Sequence, residues 1–84
     1  MVEFTIREMS CLQYLSGLME ATGEMIGERV DPHAGSTPRG NAMIGSKVAR
    51  GLMVGRGLTT YLSDLNAWRI TTAGREALAK LNNE

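Results

Sequence analysis

The sequence is poor in the residues that carry most site chemistry: 84 residues hold one cysteine, one histidine and two prolines. Cys11 alone cannot build an internal disulfide framework, so an apolar core must hold the fold, and such cysteine usage fits a reducing cytoplasm. A zinc site needs about four ligands, and Cys11 with His33 makes no such set, so neither metal nor cofactor is expected. The same two residues have no spacing that marks a nucleophile and its base; a core thiol and a surface imidazole are the plain reading, and the chain is not expected to be an enzyme. No apolar run approaches the roughly 18–20 residues a membrane span needs, and Glu3 stands where a signal peptide would carry bases. A soluble, cytoplasmic protein is therefore expected. Aromatic residues make up only 5%, so the single tryptophan, Trp68, is the largest apolar body available to anchor a core.

Net charge is also lacking, since nine bases balance nine acids and the pI is near 6.6. The balance hides an asymmetry. Residues 1–33 hold six acids against two bases, whereas residues 34–60 hold Arg39, Lys47, Arg50 and Arg56 and no acid. Such a division can steer an anionic partner to one face, although the overall profile is not the strongly basic one of a tight monomeric DNA binder.

What is present is enough for one small domain spanning 1–84. Thr5-Ile6-Arg7-Glu8 has the form of a capping box, which predicts a helix from Ile6. Met9, Leu12, Leu15 and Met19 carry its apolar face to about Ala21, with Thr22-Gly23 as the expected stop. Residues 24–30 suit either a short helix or an extended segment. The run from Asp31 to Gly40 is rich in turn formers and predicts a loop. Thr37-Pro38 then combines a cap with proline at the first helical position, predicting a helix to about Val54. Its expected buried stripe is Ile44, Val48 and Leu52 with Ala49, and Ser46, Lys47 and Arg50 share the face opposite. Gly40 to Lys47 imitates a phosphate-binding loop but places serine before lysine and has no leading strand, so that reading is rejected.

Toward the C-terminus, Leu58 to Leu62 and Ala67 to Thr71 have the β-branched and aromatic content of strands, with Ser63, Asp64 and Asn66 forming the turn between them. Thr72 is positioned to cap a helix from Ala73 to about Leu81. The run RGL at 56–58, the gap to Trp68, and then WRITTAGREAL together resemble the winged helix-turn-helix domains of bacterial and phage DNA-binding regulators, with Gly57, Leu58, Trp68, Ile70, Thr71, Gly74 and Arg75 matching. The resemblance covers the last third of the chain. It implies an α+β fold: three helices, a two-stranded wing and a C-terminal helix.

The same resemblance implies contact with double-stranded DNA by the polar face of the third helix. The candidate residues are Ser46, Lys47 and Arg50, with Arg39 or Arg56 on the phosphate backbone and Arg69 reaching out from the wing. A solvated charged face is the plain alternative for all six. The leading expectation is a phage or mobile-element transcriptional regulator, acting as a homodimer because one module of this size supplies little contact area. The second is a phage-type interaction module on the same fold, an adaptor or inhibitor whose acidic N-terminal half engages a host protein.

Overall fold

The first helix starts where the capping box puts it. In the computed structural model, which describes residues 4–31 and 37–82, α1 (Ile6–Ser16) follows Thr5. The Thr5 hydroxyl accepts from the Glu8 N–H at 3.1 Å, and Glu8 Oε1 accepts from the Thr5 N–H at 2.8 Å. The helix stops at Ser16, short of the expected end at Ala21. Gly17, a weak helix former, caps it, and the Arg75 guanidinium donates to the Ser16 carbonyl at 3.0 Å, satisfying a group the helix end would leave open.

Ala21 and Thr22 do not end a helix. They form β1 (Ala21–Thr22), paired antiparallel with Trp68 and Ala67. Two residues are too few to show alternation in the sequence, which is why the sheet has three strands where two were expected. Thr22 also caps the next helix, its hydroxyl accepting from the Met25 N–H at 3.2 Å, so the open segment 24–30 is helical: α2 (Gly23–Val30). Of the expected 31–40 loop, residues 32–36, His33 among them, lie outside the described residues; its last three, Pro38 to Gly40, are not loop but the first turn of α3 (Pro38–Met53), because Thr37 caps that helix by accepting from the Gly40 N–H at 3.0 Å.

α2 and α3 meet backbone to backbone. Gly23 and Gly27, four apart on one face of α2, are buried against Asn41 and Gly45 of α3. A Cβ on Gly45 would overlap the Gly23 carbonyl oxygen and stand 2.5 Å from the Gly27 nitrogen, and one on Gly27 would overlap the Asn41 carbonyl. This contact rotates α3 from its expected setting. Its buried line is Asn41, Gly45, Ala49 and Leu52, with Ile44 and Val48 only half-buried at the flank.

The chain leaves α3 through two residues of positive φ, Gly55 (76°) and Gly57 (66°), while the Leu58 N–H donates to the Leu52 carbonyl at 2.9 Å. β2 (Thr59–Leu62) and β3 (Ala67–Ile70) form the expected hairpin, turned through Asn66 at φ 49°, and the sheet order is β1-β3-β2. Thr71, not Thr72, caps α4 (Thr72–Asn82). Its hydroxyl accepts from the Gly74 N–H at 3.0 Å and donates to the Gly57 carbonyl at 2.7 Å, a double duty that fastens the last helix to the turn before β2. The core joins Leu12 and Leu15 of α1, Ile26 of α2, Leu52 of α3, Trp68 and Ile70 of β3, and Leu78 of α4.

Candidate nucleic-acid interface

The burial of Gly45, Ala49 and Leu52 fixes which residues of α3 meet water. At about 100° per residue, the side chains of Arg39, Met43, Lys47 and Arg50, with Val54 at the helix cap, fall within an arc of roughly 80°. All five are exposed. The arc holds three cations and no acid, and α3 has no acidic residue along its length. From Arg39 to Arg50 the stripe runs roughly 16 Å along the axis. Thr59 ties this helix to the hairpin: its buried hydroxyl donates to the Ala49 carbonyl at 2.7 Å, so the orientation of α3 is set by β2 as well as by α2.

The structure separates the six candidate residues. Arg39, Lys47 and Arg50 share the stripe. Ser46 is half-buried at its margin, with its hydroxyl turned onto Gly23 of α2; it does not share the face of Lys47 in the way the expected stripe required, because the glycine contact draws that side of α3 against α2. Arg56 is held elsewhere. Its guanidinium donates to Glu8 Oε2 at 3.0 Å and lies over the Phe4 ring, 4.4 Å from the centroid, so it clamps the start of α1 to the end of α3. Arg69 is exposed on β3 opposite Thr60, on the strand face away from Trp68 and Ile70.

The acids of the N-terminal half are partly neutralised within the fold. Glu8 pairs with Arg56 and Asp31 with Arg7, while Glu24 and Glu28 stay exposed on α2. Among the described residues no cluster of three or more His, Cys, Asp or Glu could hold a metal ion, and no helix is long and apolar enough to cross a membrane.

Cys11 is fully buried in α1, and burial, with the charge of Glu8 adding to it, pushes its thiol from 9.0 up to about 12. The folded state thus keeps a neutral thiol where the unfolded chain ionises. Its contribution to stability is whole below about 9 and drains away as pH rises toward about 12, by up to about 1.4 kcal/mol per pH unit. Urea unfolding of wild type and Cys11→Ala across that range should show the wild type losing stability faster; parallel curves would contradict the buried neutral thiol.

Two features carried more of the site than sequence reasoning gave them. Gly-x-x-x-Gly at 23–27 was the available signal for a close helix crossing, and Met43 stands in the helical register of Arg39 and Lys47. Comparison with known proteins finds no matching family model, no matching curated protein and no matching solved structure.

Proposed function

We propose that this chain is a winged helix-turn-helix DNA-binding domain of the kind found in phage or mobile-element transcriptional regulators, with α3 lying in the major groove. The observation that carries the reading is the acid-free stripe of Arg39, Lys47 and Arg50 on the one face of α3 turned away from the core. The order of elements supports it: three helices, a hairpin and a C-terminal helix follow one another as the resemblance of the last third of the chain implies, with the short strand β1 added to the hairpin. Arg39 in the first turn of α3 is unfavourable beside the positive end of the helix dipole, and a phosphate there would relieve it. Binding as a homodimer belongs to the same proposal, since three cations on a neutral chain give one copy little affinity.

The test is a DNA titration at several salt concentrations. Lys47 and Arg50 are exposed and far from the buried line, so changing both to alanine should leave the helical signal and thermal midpoint intact. The double variant should bind mixed-sequence duplex more weakly, with its log K against log salt slope shallower by up to about 1.8, since each phosphate contact contributes roughly 0.9. Equal binding by the two proteins would move the DNA site off α3. A protein partner, as for an adaptor or inhibitor of a host protein, is the second reading, favoured by the 66% exposure of Val54 within the stripe; it predicts no duplex binding by the wild type even at low salt.

A further inference from the structure

Met43 is 69% exposed in the middle of a helix, where nothing in the core uses it. By helical angle it lies about 180° from Leu52, with Arg39 and Lys47 about 40° to either side. It is therefore the centre of the stripe, and the cations are its flanks. Lysine, glutamine or glutamate would serve the helix equally well in water, whereas an exposed thioether side chain leaves apolar surface unburied. An apolar tip bracketed by cations suits a surface that is anionic at its two edges and has an apolar feature between them. The major groove of DNA is such a surface: phosphates line both edges, and the feature of the base edges that an apolar side chain can bury is the C5-methyl of thymine.

We propose that Met43 reads thymine methyl groups, making it the specificity-determining residue of α3, while Arg39, Lys47 and Arg50 hold the helix in the groove. The inference rests on the DNA reading above. Its test compares an alternating dA·dT duplex with the matching dA·dU duplex, which differs only by the methyl. Wild-type protein should bind dA·dT tighter, by roughly fourfold for each methyl buried. Met43→Ala should bind both duplexes alike, with an unchanged salt slope, and Met43→Leu should keep part of the preference. The site is exposed, so both variants should fold, and circular dichroism checks it. Equal wild-type binding to the two duplexes would overturn the role of Met43 while leaving DNA binding standing. A preference that survives in Met43→Ala would also overturn it, placing the methyl contact on another residue. Binding to neither duplex at low salt would overturn this inference together with the DNA reading, and would turn the stripe's apolar residues toward a protein partner.

Discussion

Gly45→Ala should destabilise the domain by about 2–3 kcal/mol or more, while Gly51→Ala, in the same helix, should stabilise it by about 0.5–1 kcal/mol. Alanine is the better helix former at both positions, so propensity alone predicts a gain at each. Packing separates them. A Cβ at Gly51 would meet nothing within 4 Å, whereas at Gly45 it would meet the Gly23 carbonyl and the Gly27 nitrogen. Those obstacles are backbone atoms of α2 and cannot rotate aside as a flexible side chain would, so the two helices must part along their whole crossing. Since a domain of this size has roughly 4–13 kcal/mol in all, the loss is a large fraction of its stability. Urea unfolding of the two variants side by side checks this. A neutral or stabilising Gly45→Ala would show that α2 and α3 do not cross at these glycines, and would unsettle the orientation of the stripe.

Trp68→Ala should cost on the order of 3–5 kcal/mol. The indole is 2% exposed, in the central strand of the sheet, with Ala21 of β1 on one side and Tyr61 of β2 on the other. Its ring meets that of Tyr61 with centroids 4.9 Å apart and planes tilted by 52°, an arrangement worth roughly 0.5–1.5 kcal/mol beyond burial. Trp68 belongs to the same buried cluster as Leu58 and Ile70 and the leucines of α1, so its removal opens the core as well as the sheet. The variant should therefore unfold at markedly lower temperature, about 4–8 °C for each kcal/mol lost. An unshifted thermal midpoint would contradict a core built around this residue.

The elements that local chemistry specifies were legible in the sequence. The Thr5-Glu8 box, Thr37-Pro38 and the strand content around Trp68 each act within a few residues, and the structure has a helix or strand at every one. What was not legible depends on distant partners. Ala21-Thr22 has no pattern of its own and is a strand because Trp68 and Ala67 lie beside it. Gly23 reads as a helix stop by its backbone freedom, yet its use is the missing side chain that admits α3. The same crossing explains the site. Lys47 and Arg50 were placed correctly on the water face, but Ser46 leans on α2, and Arg56, sequentially part of the basic run, is spent on Glu8 and Phe4. Charge runs show which residues are cationic; only the fold shows which cations have acids within reach.

The most direct measurement is an amide chemical-shift titration of isotope-labelled protein with a mixed-sequence duplex at low salt. DNA binding through α3 predicts that the largest changes fall on Arg39, Met43, Lys47 and Arg50, with smaller ones at Arg69 on the hairpin and little at the Glu24 and Glu28 face of α2. Changes centred on α2, or no changes anywhere on α3 at saturating duplex, would contradict it.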